Sequence, residues 1–471
     1  MFGANICKNI STAQFFLNLQ AIMAETQEQQ YQKMMLTPVS RLIPSLAWPT
    51  VLSMMTSAIY NTADTWFVSR LGDSATGATG VCLPVVAMIQ AVGFWIGMGA
   101  GSNISRFLGQ RKNREADVVA SSATLSAIVA GLLLTAVGLL FNRGIMESLG
   151  STPTILPYAK EYSVIIFWGA PFSCCSFVFN NLLRAQGKSF FAMTGIVSGA
   201  LLNILLDPIF IFTLNMGISG AALSTVLCQV ISAGVMLFAL LGKNSMLRLG
   251  KEYISKQLST YTLIFTTGLP SLFRQGCSAA ATILLNRAGG VYGDVAVAAM
   301  SVVGRVNWLV GSLVAGFGQG FQPVCGFAYG AGNYARVRKS YFFSLAVCTG
   351  ILVTGAISCW IFAEEIVGLF KAESHLVVEI GSTALRFLCF SMPFSALVIL
   401  ANMLLQTTGE RFWASITSIS RQGMFFIPLI LILPHFFGIT GVEICQAVSD
   451  ILSAVLCSVV TWRFFRRLGK V

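Results

Sequence analysis

The chain has 471 residues, of which 55% are hydrophobic and only 10% are charged, whereas about a quarter of the residues are charged in an ordinary soluble protein. The mean hydropathy of +0.76 predicts instead that most of the chain lies in a lipid bilayer. The net charge of +12 does not indicate a nucleic-acid-binding surface, because most basic residues lie in short segments between apolar runs.

Twelve apolar stretches follow one another along the chain, each long enough to cross a bilayer as a helix. They lie at roughly 42–69, 75–103, 116–142, 157–183, 187–213, 217–242, 259–286, 292–320, 339–363, 379–406, 412–434 and 439–463. The predicted fold class is therefore an all-α polytopic membrane protein with twelve transmembrane helices.

Residues 1–40 precede the first apolar stretch and lack the apolar core and small-residue cleavage site of a secretory signal peptide. Met1, Met23, Met34 and Met35 are all candidate start positions. If the N-terminus is cytoplasmic, 21 lysines and arginines fall in cytoplasmic segments and 5 in the opposite loops. Because cytoplasmic loops are enriched in basic residues, both termini are predicted to be cytoplasmic and the protein to lie in the plasma (inner) membrane.

The two halves of the chain repeat one another at a spacing of about 221 residues, so that Gly72-Asp73 recurs as Gly293-Asp294. Each copy contains six spans and therefore enters the membrane from the same side, which predicts two six-helix bundles in a parallel repeat with a substrate cleft between them. The predicted organisation is an N-terminal segment at 1–40, an N-lobe at 41–242, a cytoplasmic linker at 243–257, a C-lobe at 258–465 and a tail at 466–471.

Three familiar motifs are excluded. The sequence GKS at 187–189 lacks the glycine that a P-loop needs five residues earlier, where Leu182 stands. The glycine-rich stretch 97–101 ends an apolar span and does not follow a β-strand, so it does not predict a dinucleotide site. The twelve cysteines form no CxxC pair and histidine occurs only twice, so neither a metal nor another cofactor is predicted. The energy source is then an ion gradient or a partner protein.

The fifth span carries Asn203 and Asp207 four residues apart, and the first carries Asn61 and Asp64 three apart, so each pair shares a helix face. Thr225 on the sixth span adds a hydroxyl at comparable depth. A carboxylate in a bilayer is costly and usually functional, and these oxygens suit either H⁺ or Na⁺. The alternative is a hydrogen-bonded polar cluster that only holds helices together.

The last span carries Glu443, Gln446 and Asp450 on one face. Three arginines on other spans could neutralise these acids, namely Arg274, Arg305 and Arg421. Internal ion pairing is the simpler interpretation, and a substrate or coupling role is the alternative.

Five stretches carry a family resemblance: IYNTADTWFVSRLGD at 59–73, GMGAGSNISRFLGQ at 97–110, LLNILLDPIFIF at 201–212, MGISGAALST at 216–225 and GQGFQPVCGFAYGAGNYARV at 318–337. Over roughly residues 40–465 the chain resembles MATE (multidrug and toxic compound extrusion) transporters. The resemblance implies two lobes in a V and antiport of amphipathic, often cationic compounds. It also implies that Asp64, Asn203, Asp207 and Thr225 match the cation or proton site of the DinF-like and archaeal branch. Asn180 stands where some multidrug relatives carry a glutamate, and it joins Gln319 as a candidate for a substrate-binding or structural network.

The predicted function is a monomeric secondary active exporter that exchanges inward H⁺ or Na⁺ for an outward-moving small organic compound. A flippase for lipid-linked precursors, from the same superfamily, is the first alternative and would need a strongly basic cavity. An intramembrane enzyme is the second, and the pair Asp64 and Asp207 is its only support.

Overall fold

A computed structural model of the protein describes residues 27–242, 244–370 and 375–469, without the side chains of residues 61, 62, 73, 294 and 370. The candidate start positions at 1 and 23 and the end of the predicted tail lie outside the described residues. Every regular element in the described ranges is helical, which confirms the predicted all-α class.

The N-terminal half contains eight helices, six of them long. They are α1 Gln27–Leu36, α2 Val39–Ser69, α3 Asp73–Gly109, α4 Asn113–Leu140, α5 Asn142–Ser148, α6 Leu156–Ala185, α7 Ser189–Pro208 and α8 Gly217–Leu241. Pro208 ends α7 and leads into a π-helical turn at Ile209–Thr213.

The C-terminal half follows a 3-10 turn at Lys251–Tyr253. Its helices are α9 Leu258–Gly290, α10 Asp294–Gly330, α11 Tyr334–Ile361, α12 Ala363–Phe370, α13 His375–Thr408, α14 Arg411–Ile419, α15 Phe426–Phe437 and α16 Ile439–Leu468. A π-helical turn at Ser420–Met424 joins α14 to α15 within one span.

The described ranges contain eleven helices that are long and apolar enough to cross a membrane. The remaining predicted span is α9, which has 33 residues and is long enough to cross. Its hydropathy is lowered by polar residues such as Arg274 and Gln275, which face a cavity and not the lipid.

The two halves pack in the same way, as the repeat predicts. In the first half α6 packs against α3, α4 and α8, and in the second half α13 packs against the corresponding α10, α11 and α16. Between the halves, α2 packs on α10 and α9 packs on α3. In both contacts, the first span of one lobe packs on the second span of the other lobe. The described residues thus form two lobes of six spans each.

The lobes approach most closely at one end of the molecule, where the loops carry Arg111, Lys112 and Arg336; we call this the basic end. There α3 and α9 cross with almost no space between their backbones. A Cβ atom added to Gly99 would lie 2.1 Å from the carbonyl oxygen of Ile264, and one added to Gly268 would lie 2.0 Å from that of Trp95. Only glycine permits this approach, so the two positions close the basic end.

Helix α1 lies across the basic end and contacts both lobes. The Gln30 side chain donates to the Gln186 carbonyl at 3.1 Å, and the Tyr31 hydroxyl donates to the Gly109 carbonyl at 3.3 Å, both in the N-lobe. From the C-lobe, Arg336 donates to the carbonyl oxygens of Met34 and Thr37 at 2.9 and 2.7 Å. The predicted N-terminal segment therefore includes a helix that links the two lobes.

Candidate functional site

A central cavity of about 620 Å³ lies between the lobes, beyond the contacts that close the basic end. It starts beside Gln319 and Thr50, close to the contact between Gly320 and Ala47, and reaches Leu285 and Met300. Its size is typical of a site for a drug-sized molecule.

The predicted residues Asn203 and Asp207 meet in the N-lobe, and a third residue joins them. The Asn203 side-chain amide donates to Asp207 Oδ1 at 3.0 Å and lies 3.0 Å from the Ser224 hydroxyl. Ser224 in turn donates to Asp207 Oδ1 at 2.5 Å. All three side chains are buried, so α7 and α8 are joined by a polar contact inside the lobe.

Asp64 on α2 completes this group, because its carboxyl group lies close enough to that of Asp207 to interact with it. We call Asp64, Asn203, Asp207 and Ser224 the N-lobe acid cluster. Three oxygens of the cluster are buried without a hydrogen-bond donor among the described residues: Asp64 Oδ1, Asn203 Oδ1 and Asp207 Oδ2. Acceptors of this kind are the ligands that hard cations prefer, and a carboxyl proton would also satisfy one of them.

The hydroxyl group on α8 that reaches the acid cluster belongs to Ser224, which the sequence pattern did not single out. Ser224, and not Thr225, reaches Asp207, since the neighbouring position points about 100° away around the helix. Thr225 is half-buried, and no described hydrogen bond joins it to the cluster. The side chain of Asn61 lies outside the described residues.

Tyr162 on α6 lies beside the acid cluster, although no sequence pattern indicates it. It is buried and interacts with both Asp64 and Asp207. A tyrosine within an apolar span carries no periodic signal, so only the packing of α6 could reveal it.

The acid cluster lies behind the cavity wall and not on it. Helix α2 lines the cavity with Ser57 and Tyr60, one turn before Asp64. Helix α7 lines the cavity from Ser189 to Ile196, two turns before Asn203. The same two helices therefore connect the acid cluster to the cavity.

In the C-lobe, Arg421 and Asp450 form a two-pronged ion pair, with Nε–Oδ1 at 2.7 Å and Nη2–Oδ2 at 3.1 Å. Gln446 donates to Asp450 Oδ1 at 2.7 Å, and Ser395 donates to Oδ2 at 3.0 Å. Arg421 lies in the π-helical turn of its span, and such turns are frequent at functional sites. The structure thus shows internal ion pairing at Asp450, the simpler of the two interpretations.

Among the described residues, the other two arginines form no ion pair with these acids. Arg305 is exposed on α10 and does not line the cavity, because the face that a residue occupies depends on how its helix packs and not on its depth in the span. Arg274 lines the cavity and donates to Asn402 Oδ1 at 3.5 Å. Glu443 also lines the cavity, and it is not part of the Arg421–Asp450 ion pair.

Asn180 and Gln319 both line the cavity. The Asn180 amide donates to the Ala192 carbonyl at 3.2 Å and so ties α6 to α7. The side-chain oxygen of Gln319 is buried without a donor among the described residues and is available to a ligand.

Comparison with known proteins agrees with this architecture. The family model MatE matches residues 49–209 and 270–432, one segment in each lobe, and the chain belongs to the MATE family of transporters. It is therefore a transporter and not an intramembrane enzyme.

Two curated relatives are multidrug export proteins named MepA. The one from Staphylococcus aureus (strain MRSA252) is 27% identical over 435 residues, covering 92% of this chain and 95% of the relative. The one from Staphylococcus haemolyticus (strain JCSC1435) is 27% identical over 424 residues, covering 89% and 92%.

Solved structures show the same fold. A MATE protein in complex with MaL6 superposes with a TM-score of 0.89 at 26% identity, covering 93% of this chain and 99% of that chain. A multidrug resistance MATE family transporter in an outward-facing conformation superposes with a TM-score of 0.88 at 26% identity, covering 93% and 98%. The twelve-span, two-lobe arrangement is thus that of the family.

Proposed function

We propose that this protein is a secondary active exporter of amphipathic organic compounds, driven by inward movement of H⁺ or Na⁺. Family membership and the multidrug export activity named for its relatives support export of small organic molecules. The chain's own residues support coupling to an ion.

The observation that carries the coupling is the set of three buried oxygens without donors in the N-lobe acid cluster. Leaving a buried polar atom unsatisfied costs about 1–3 kcal/mol, and more for a charged one. A cation among these oxygens, or a proton on one carboxyl group, removes that cost. The cluster is therefore the coupling-ion site of this proposal, with Asp207 at its centre.

Helix α7 links this site to the substrate cavity. Asn203 and Asp207 bind the ion near its end, where Pro208 and the π-helical turn weaken the regular helix, while Met193 and Ile196 face the cavity. Ion binding that repacks α7 changes the cavity, and substrate binding must then change ion affinity by the same factor.

Transport also requires the cavity to open alternately to each side. The lobes meet at the basic end, and the cavity lies beyond that contact. Because the basic loops are predicted to be cytoplasmic, this arrangement is the state in which the cavity opens to the side away from the cytoplasm. The opposite state forms when the contact around Gly99 and Gly268 separates.

Purified protein in proteoliposomes tests the proposal, with pH and Na⁺ gradients imposed one at a time. Two diethylaminocoumarin dyes, a carboxylate and a trimethylammonium amide, serve as transported probes. A gradient should accelerate transport of at least one dye by the wild type. Asp117→Asn is the control and should keep this acceleration. Asp117 is a buried carboxylate outside the cluster, and it accepts a hydrogen bond from the Arg248 backbone amide at 2.7 Å. Asp207→Asn and Asp64→Asn should abolish the acceleration, and undiminished transport in both would refute the assignment.

The lipid-linked precursor flippase is not carried forward. Only four arginines lie in the interior of the predicted spans, namely Arg274, Arg305, Arg386 and Arg421. Arg305 and Arg386 lie outside the cavity lining, and Arg386 pairs with Glu364 at 3.0 Å.

A further inference from the structure

The central cavity has an unequal set of charges on its wall. In the described residues, three arginines and one carboxylate line it, namely Arg184, Arg274, Arg421 and Glu443. Arg421 is neutralised by Asp450 behind the wall, so Arg184 and Arg274 remain against Glu443. The wall therefore carries a net positive charge while Glu443 is ionised, and a larger one when it is protonated.

Arg274 is the cavity arginine with the weakest internal support. Its one described hydrogen bond is the 3.5 Å contact with Asn402, at the limit for such a bond. No carboxylate of the described residues lies within 4.0 Å of its guanidinium group, in contrast to Arg421. A cation at membrane depth is costly and normally pairs with an anion, so Arg274 has an unmet need for one.

Arg184 also contributes a positive charge to the cavity wall. Its side chain is 5% exposed and donates to the Asn181 side-chain oxygen at 2.8 Å. It too lacks a carboxylate partner in the described part of the chain, and its neighbour is a neutral amide.

The remaining wall suits the body of an organic molecule. Aromatic and sulfur-containing side chains cover much of it: Phe94, Phe177, Trp308, Met54, Met193 and Met403. Such side chains pack on apolar and aromatic groups without demanding one shape.

We propose that the preferred substrate is an amphipathic organic anion with a single carboxylate or sulfonate, bound by the guanidinium group of Arg274. The planar guanidinium group can donate two parallel hydrogen bonds to such an anion, while Asn402 holds it in place. Glu443 disfavours a second negative charge and so selects monoanions. This inference rests on the proposed export function and gives the substrate class for the same cavity.

The test uses the two coumarin dyes, which share a fluorophore and carry opposite charges. Their dissociation constants are measured by fluorescence anisotropy on the full chain in nanodiscs of zwitterionic phosphatidylcholine. The wild type should bind the carboxylate roughly tenfold or more tightly than the trimethylammonium dye, as expected for a charge-assisted hydrogen bond in a buried site.

Arg274→Gln should weaken carboxylate binding by a similar factor and leave the trimethylammonium dye unchanged or better bound. Arg274→Lys keeps the charge but not the two parallel donors, so an intermediate affinity is expected. Arg305→Gln is the matched control, since it removes an exposed arginine of the same lobe, and it should change neither affinity. Gel filtration and thermal unfolding confirm that each variant is folded.

Tighter binding of the trimethylammonium dye, equal binding of both, or no carboxylate binding by the wild type would overturn the inference. An unchanged carboxylate affinity in Arg274→Gln would also overturn it. The exporter proposal is judged separately: gradient-driven transport of the trimethylammonium dye alone would support export while refuting the anion. Carboxylate binding without gradient-driven transport would support the anion preference and refute the exporter proposal.

Discussion

Asn180 and Asn402 make the same contact in the two lobes. Each side-chain amide donates to the carbonyl oxygen twelve residues further along, Asn180 to Ala192 at 3.2 Å and Asn402 to Ala414 at 2.8 Å. Each contact ties the fourth span of its lobe to the fifth. The framework is thus symmetric, while the charges attached to it are not, because the acid cluster occurs only in the N-lobe and the Arg421–Asp450 pair only in the C-lobe of the described chain.

This shared contact predicts a shared effect on stability. Asn180→Ala and Asn402→Ala should each lower the free energy of unfolding by about 1–2 kcal/mol, because each removes a buried side-chain hydrogen bond that joins two spans. Thermal unfolding in detergent provides the measurement. Asn307→Ala is the control, since Asn307 also lines the cavity but makes no described side-chain hydrogen bond. An effect of Asn307→Ala as large as the other two would show that the contact is not the cause.

The Arg421–Asp450 pair predicts a non-additive pair of mutations. Asp450→Asn alone should destabilise the protein by about 3–5 kcal/mol, because it leaves a largely buried guanidinium group unpaired. The double variant Arg421→Gln/Asp450→Asn should be more stable than Asp450→Asn, since it removes both charges. Thermal unfolding of the four proteins in the cycle measures the coupling, and simple additivity would argue against a structural ion pair.

The sequence indicated more about helices than about the faces of helices. Hydropathy located the spans because a bilayer imposes one length on all of them, and the repeat predicted the matched packing of α6 and α13. The contact between Asn203 and Asp207 followed from their spacing on one helix. The sequence could not indicate that Ser224 reaches Asp207 or that Arg305 is exposed, because the rotation of α8 and α10 about their axes depends on neighbouring helices. Arg184 falls between the predicted spans 157–183 and 187–213, although it is buried in the cavity wall.

The close approach at Gly99 predicts that a single methyl group opens the basic end. Gly99→Ala places a Cβ atom against the Ile264 carbonyl and should push the lobes apart. Spin labels at residues 112 and 339, one on each lobe at this end, should report a longer mean distance by pulsed electron resonance. Gly80→Ala on the same helix is the control, because nothing lies within 4 Å of an added Cβ atom there. An unchanged distance in Gly99→Ala would show that this contact does not hold the lobes together.

Helix α1 predicts a second way to loosen the same end. Arg336→Ala removes the two hydrogen bonds from the C-lobe to the carbonyl oxygens of α1 and the residue that follows it. The distance distribution between the same spin labels should broaden and move to longer values. Arg338→Ala removes a neighbouring arginine that stacks on Phe342, and it should leave the distribution unchanged. Equal distributions in the wild type and Arg336→Ala would contradict a linking role for α1.

The central claim is that the N-lobe acid cluster and the cavity exclude each other's ligands. The most direct measurement is the affinity of the coumarin dye that the wild type binds more tightly, determined in nanodiscs without any gradient across a range of pH and Na⁺ concentrations. The affinity should fall as the pH drops or as Na⁺ rises, and it should become insensitive to both in Asp207→Asn. A wild-type affinity independent of pH and Na⁺ would contradict the coupling and leave Asn203, Asp207 and Ser224 as a structural contact between α7 and α8.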